Sequence, residues 1–440
     1  MSTTTPNLLL ITVDTLRADH LGCYAYHRDT SPHIDAIAAQ GARCEHMFCA
    51  GIPTHPSYTT LYTGQHPITH GVVGHGGQAK LDSATPVLPE LFLRAGYTTS
   101  AFDTLMRDRL WFGRGYEYYI DPSLRRVLRL AVSCEEINRR AVPWLRHHAD
   151  EPFFMFLHYW DPHAPYTPAE RLRGRFYEGA RPTDPADSSL AKWWEHPLGA
   201  LARSTWARRH DGPITDADYV VAMYDQCIGH VDEAIGGLVG TLDELGLADD
   251  TLVVIMGDHG ESMTEHGIFF EHHGLYDCTV RVPFIARWPG QIRAGTLLPK
   301  LQQTNDIAPT LLAAVGLPTP RSMDGESFWP ALAGEQAQVG REQVVGLEGT
   351  LQAKWYLRTE RHKLILARQA DFYDNPPREL YDLAADPEER NNLVDEQHEL
   401  AAALEARLEG WIANQLAARG RAADPLREQG ISLRAVMEAG

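Results

Sequence analysis

Thr54-His-Pro-Ser57 opens a run that reads as helix up to Gly64. A hydroxyl residue placed just ahead of Pro56 and Ser57 stands at a helix N-terminus, where free N–H groups favour an anion, so an alkoxide at Thr54 would be stabilised there. A plain N-cap is the alternative reading of the same residue. Met256-Gly-Asp-His-Gly-Glu261 closes an apolar run with Asp258 and His259, and Gly260 lets the backbone turn away. Carboxylate oxygen plus imidazole nitrogen suits a divalent cation. Asp14, directly after the apolar run 8–13, would supply a third ligand and leave an open position for the Thr54 hydroxyl. Each of these residues alone could be an ordinary turn residue; agreement between separate strand ends argues for chemistry.

Such a site needs a scaffold that brings distant strand ends together. Short apolar runs rich in β-branched residues alternate with helical stretches, which predicts an α/β fold with a sheet covered by helices on both faces. Segments 8–13, 153–159 and 252–256 read as buried strands. Each ends in a cluster: Asp14 after the first, Asp161 and His163 after the second, Asp258 and His259 after the third. Ligands of open α/β sheets sit at the carboxyl ends of strands. Tyr224, Ile228, Val231, Ile235 and Leu238 recur at helical spacing and predict a core helix over 219–245, with Asp225 and His230 as solvated or capping groups. Segment 171–216, rich in Arg, Trp, Pro and Asp, reads as an excursion over the active-site edge, where substrate size would be selected. From Val344 the pattern becomes a small antiparallel meander followed by a helix over 397–419. The expected organisation is a catalytic domain at 1–340, a C-terminal subdomain of small sheet and helix at 341–420, and a tail at 421–440 too poor in apolar residues to form a unit alone.

The 440-residue chain carries a formal net charge of −18, which repels polyanions and argues against nucleic acid or an anionic membrane as partner. A small anionic ester could still bind where a metal reverses the local field. The apolar run near the N-terminus is too short for a membrane span and lacks a basic leader, so a cytoplasmic protein is expected. Six cysteines occur singly, none at metal-ligand spacing, and read as buried, inert thiols. Composition leaves a homo-oligomer open.

The order Val13-Asp14, Thr54-His-Pro-Ser, Asp161-Pro-His163-Ala-Pro-Tyr, Gly257-Asp-His-Gly-Glu, His273-Gly-Leu-Tyr and Arg281-Val-Pro resembles the sulfatase family of the alkaline phosphatase superfamily. Asn305-Asp-Ile-Ala-Pro-Thr resembles that family's last large-domain helix, and Arg361-His-Lys-Leu-Ile with Glu379-Leu-Tyr-Asp-Leu its C-terminal subdomain. The resemblance implies an alkaline-phosphatase-like large mixed sheet and a divalent metal ion (Mn, Zn, Ca or Mg) on Asp14, Asp258, His259 and Thr54. It also implies Thr54 as nucleophile and His163 at the leaving group. His272 falls at the family's anion-holding lysine, with His273 beside it. Tyr58 takes the place of the motif arginine as a substrate-binding residue, and the loop 71–77 would line the pocket.

Sulfatases convert a Cys or Ser at the nucleophile position to formylglycine, an aldehyde that threonine cannot supply. With an ordinary hydroxyl, water must attack the central atom of the covalent intermediate, as in the superfamily's phosphoryl enzymes, which favours phosphorus over sulfur. Tyr58, His272 and Thr15, the last standing where the family carries a second metal-binding Asp, each remove charge from the pocket. The expected substrate is therefore a singly charged phosphodiester or phosphonate monoester. A second metal on Asp161, His163 and His273 (or His272) stays open, as do a sulfate-ester hydrolase without formylglycine, a catalytically silent anion binder and a phosphoryl transferase.

Overall fold

In the computed structural model, which describes residues 5–123, 132–179, 182–184, 186–196, 199–200, 214–336 and 339–434, the three apolar runs form adjacent parallel strands. These are β1 (Asn7–Val13), β6 (Phe153–Tyr159) and β7 (Thr251–Gly257), with β1 in the middle. Every residue of the three strands is buried. That explains why they read as continuous apolar runs: both faces of the sheet are covered.

Among the described residues the large sheet also holds β2 (Ala42–Phe48), β4 (Thr98–Phe102), β5 (Tyr118–Ile120), β8 (Arg281–Val282), β9 (Phe284–Arg287) and β10 (Thr296–Gln303). The order is β10-β2-β9-β7-β1-β6-β4-β5, with β8 antiparallel beside β2. β9 runs antiparallel to both β7 and β2, so the sheet is mixed. Alternate residues of the central strands face two different layers. Leu9, Ile11, Met155, Val253 and Ile255 pack with α1 (Pro32–Gln40), α3 (Cys134–His147) and α4 (Ala217–Glu244). Leu8, Leu10, Phe154, Phe156 and Val254 pack with α2 (Thr54–Thr63) and with Val344, Tyr356 and Ile365 of the second sheet.

That second sheet is the expected meander, β11 (Gln343–Glu348), β12 (Lys354–Thr359), β13 (His362–Ala367) and β14 (Arg378–Asp382), all antiparallel. It gains an unexpected fifth member: β3 (Gly51–Ile52), parallel to β11, lies just before Thr54. The sheet's other face packs on Ala401, Leu404, Leu408 and Ile412 of α5 (His398–Ala418). Part of the expected tail is also fixed: Leu426 is buried, and Asp424 accepts hydrogen bonds from Trp355 and Arg368. Residues 201–213 of the expected excursion lie outside the described residues; within it, Trp193 packs against Phe270. No helix among the described residues is long and apolar enough to cross a membrane.

Candidate metal centre

Strand register delivers the first two carboxylates. Val13 of β1 pairs with Gly257 of β7, so Asp14 and Asp258 leave the sheet side by side. Thr15 follows in the left-handed region (φ 55°), a turn that lets its N–H reach Asp258 Oδ1 at 3.1 Å. His259 N–H adds a second bond to the same oxygen, at 2.8 Å. The hydroxyl of Ser57 (2.6 Å) and the thiol of Cys49 (3.1 Å) both donate to the Asp258 carbonyl and hold the start of α2 against the end of β7.

These bonds leave Asp258 Oδ2 and Asp14 Oδ1 buried without a hydrogen-bond partner. His259 Nε2 lies 3.2 Å from the first and 3.8 Å from the second. Its Nδ1–H donates to the Gly260 carbonyl at 3.0 Å, so Nε2 presents its lone pair. Burial pushes the His259 pKa down to about 4, which keeps the ring neutral. Thr54 Oγ1 stands 3.3 Å from the same Nε2. Two orphaned carboxylate oxygens, a neutral imidazole nitrogen and a hydroxyl thus converge on one point.

The electrostatics call for a cation there. Burial and the charge of Asp14 push the Asp258 pKa well up, since two buried carboxylates this close resist joint ionisation. Burial also opposes ionisation of Asp14, but the hydrogen bond from His158 holds its pKa below the ordinary value. The donor set of two carboxylate oxygens, one imidazole nitrogen and one hydroxyl fits a divalent ion of the zinc, manganese or magnesium kind.

His158 and Asp103 had no place in the sequence reading. His158 lies on β6 with no exposed surface; its Nδ1 is 2.8 Å from Asp103 Oδ1 and its Nε2 3.3 Å from Asp14 Oδ2. Burial alone would discharge the ring, yet the bonds to Asp103 and Asp14 outweigh it and push its pKa up to about 9. The available signal was a lone histidine inside the apolar run Phe153–Tyr159.

Around the four-atom cluster stand more histidines. His272 stacks on His259 (ring centroids 4.6 Å apart) and lies 5.2 Å from His163 and 4.6 Å from His273. Burial, then the neighbouring imidazoles, holds the His272 pKa well below its ordinary value, so it offers a neutral N–H, in line with the expected loss of charge at this position. His163 Nδ1 lies 2.6 Å from the Ala164 carbonyl, to which it donates, leaving Nε2 available. His273 Nδ1 lies 3.4 Å from Glu348. His75, from the loop 71–77, stacks on His55 at 3.8 Å. Glu261, the last residue of the Asp-His-Gly-Glu string, is fully buried with neither oxygen bonded.

Three expectations change. Tyr58 has no exposed surface: one helical turn beyond Thr54, it points down into the sheet and donates to Thr12 Oγ1 at 3.0 Å, so substrate cannot reach it. Asp161 does not turn toward His163 and His273; it accepts the Cys134 N–H at 2.9 Å and faces His230. Asp225 and His230 are buried rather than solvated or capping, with Asp225 bonded to His20, Tyr26 and Arg28, each at 2.7 Å.

Comparison with known proteins adds the following. A family model described as sulfatase matches residues 6–317, and one described as N-sulphoglucosamine sulphohydrolase, C-terminal, matches residues 264–414. The chain is 25% identical over 473 residues to the N-acetylglucosamine-6-O-sulfatase of Bacteroides thetaiotaomicron, covering 88% of this chain and 82% of that one. It is also 25% identical over 404 residues to the multifunctional alkaline phosphatase superfamily protein PehA of Trinickia caryophylli, covering 75% and 77%. The phosphonate monoester hydrolase of Agrobacterium radiobacter has a similar structure, with a TM-score of 0.74 at 23% identity over 93% of this chain and 96% of that one.

Proposed function

The chain belongs to the sulfatase family of ester hydrolases, and on that premise we propose that it cleaves phosphodiesters or phosphonate monoesters with Thr54 as nucleophile and a divalent cation on Asp14, Asp258 and His259. The observation that carries this reading is the 3.3 Å approach of Thr54 Oγ1 to His259 Nε2, beside the two unpartnered oxygens of Asp14 and Asp258. The cation supplies charge that favours the threonine alkoxide and the developing negative charge on the substrate.

Thr54 Oγ attacks phosphorus in line, its bond to phosphorus forms, and the bond to the leaving oxygen breaks. His163, its Nδ1–H engaged by the Ala164 carbonyl, gives a proton from Nε2 to that oxygen. Water then attacks phosphorus in the phosphothreonine and returns one proton to His163 Nε2, while the bond from phosphorus to Thr54 Oγ breaks and that oxygen takes from solvent the proton it released on attack. His272 and His273 orient the non-bridging oxygens. With His272 neutral and Tyr58 buried, the pocket favours one negative charge on the substrate over two. Resemblance to a phosphonate monoester hydrolase supports the fold of this reading; the unmodifiable Thr54 supports its chemistry.

The test is Thr54→Ala with metal content measured alongside, on matched nitrophenyl phosphodiester, phenylphosphonate and sulfate esters. Loss of phosphodiester turnover by at least about a thousandfold with metal retained is expected. So is a phosphoryl adduct on the Thr54 peptide of the acid-quenched wild-type enzyme. Undiminished turnover in Thr54→Ala, or a strong preference for the sulfate ester, would overturn the proposal.

A further inference from the structure

A second group of metal-ligating side chains lies on the other face of the large sheet. Cys134 is the first residue of α3, Asp161 follows the end of β6, and His230 lies on α4. A sulfur, a carboxylate oxygen and an imidazole nitrogen from these three lie within 4.8 Å of one another. Cys134 has no exposed surface and His230 is 4% exposed. The two ring nitrogens of His230 differ: Nε2 pairs with Glu135 Oε1 at 3.1 Å, while Nδ1 makes no hydrogen bond and lies 3.9 Å from Asp161 Oδ1. A buried imidazole nitrogen without a partner, beside a thiol and a carboxylate, is a costly arrangement unless something joins them.

We propose that Cys134, Asp161 and His230 bind a zinc ion at a site separate from the Thr54 centre, with Glu135 holding the far nitrogen of the His230 ring. The set is one thiolate, one imidazole and one carboxylate, donors of the types that zinc takes, with the fourth tetrahedral position left to water. Glu135, its side chain 59% accessible, marks the solvent side from which the ion enters. Asp161 needs only its Oδ1, because Oδ2 is engaged by the Cys134 N–H. Cys134 stands at a helix N-terminus, which favours a thiolate once a cation is present. Binding forms a sulfur–zinc bond and releases the Cys134 proton to solvent.

The site's position gives it a consequence. Asp161 lies two residues before His163, so the ion ties the loop carrying the proposed proton donor to α3 and α4 at once. The sequence hid this site because its ligands come from three separate segments, with no paired cysteines to mark it.

The experiment uses the full chain, stripped with a chelator and refilled with Co2+ as the probe. Two cobalt ions per chain are expected, together with the near-ultraviolet thiolate-to-cobalt charge-transfer band that only a cysteine ligand gives. Cys134→Ser and His230→Gln should each lose that band and one equivalent of metal, whereas Asp258→Asn should keep the band and lose the other equivalent. A refilled wild-type chain without the band overturns the proposal with no variant needed, and so does a band that persists in both Cys134→Ser and His230→Gln. None of these readouts depends on turnover, so failure here stays distinct from failure of the Thr54 proposal.

Discussion

Asp14 is held by a side chain that never meets substrate. His158 engages Asp14 Oδ2, and Asp103 engages the far side of the same ring, so only Asp14 Oδ1 is left to face Asp258 Oδ2 and His259 Nε2. Groups behind a metal ligand fix its orientation, and their loss commonly costs about 10- to 100-fold in affinity. For His158→Gln, metal affinity measured by titration calorimetry should fall by about that factor. Turnover should return when the metal concentration is raised. Affinity equal to that of the wild-type chain would show that Asp14 needs no such support. Asp103 carries further load, accepting the Tyr119 hydroxyl at 2.6 Å, so its replacement would confuse folding with metal binding, and His158 is the cleaner test.

At the scale of elements, the position of Thr54, the proposed nucleophile, depends on strands from both sheets. β3 joins the second sheet beside β11 and passes straight into α2, so the small sheet helps set where Thr54 emerges. The end of β11 contributes Glu348, fully buried, whose carboxylate accepts the N–H groups of Leu351 (3.0 Å) and Gln352 (2.7 Å) and lies 3.4 Å from His273 Nδ1. The Gln352 side chain in turn donates to the His273 carbonyl at 3.1 Å. Glu348→Gln should therefore cost about 1–3 kcal/mol of stability. It should also raise KM for the anionic ester about fivefold or more while kcat changes less, because the group it disturbs is proposed to hold substrate. An unchanged KM beside the stability loss would confine Glu348 to a structural role. The three strand-end clusters were legible in the sequence because fully buried strands leave unmistakable apolar runs, and the polar residues that follow them stand out. β3 was not legible, being two residues long and paired with a strand nearly 300 positions away. Asp103 and His158 were missed for a similar reason: their meeting depends on β4 lying beside β6, a matter of strand order that local spacing does not encode. Tyr58 was misassigned because motif position says nothing about which side of a helix faces the sheet.

Across the whole molecule, one buried histidine, His66, joins the segment after α2 to the second sheet, and another, His70, ties that segment back to α2. His66 Nε2–H donates to the Val345 carbonyl at 2.8 Å, while its Nδ1 accepts the Ile68 N–H at 3.1 Å. His70 accepts the Val72 N–H through Nδ1 and meets Thr60 Oγ1 through Nε2, each at 3.1 Å. Both rings must be neutral, because a proton on Nδ1 would remove the acceptor that each backbone N–H requires. Burial pushes the His66 pKa down to about 4 and the His70 pKa well below its ordinary value. In the unfolded chain both rings take a proton near pH 6.5, but the folded chain resists protonation until much lower pH. Their contribution is thus complete above 6.5 and is lost as pH falls from there toward 4, with His66 alone accounting for about 3 kcal/mol. Urea unfolding at pH 8, 6.5 and 5 should show a declining midpoint in the wild-type chain. His66→Asn keeps an oxygen for the Ile68 N–H and cannot titrate. It should start less stable at pH 8, since the bond to Val345 is gone, and then decline more gently with acid. Parallel decline in the two proteins would assign acid sensitivity to other groups and remove His66 as the titrating link between the segment after α2 and the second sheet.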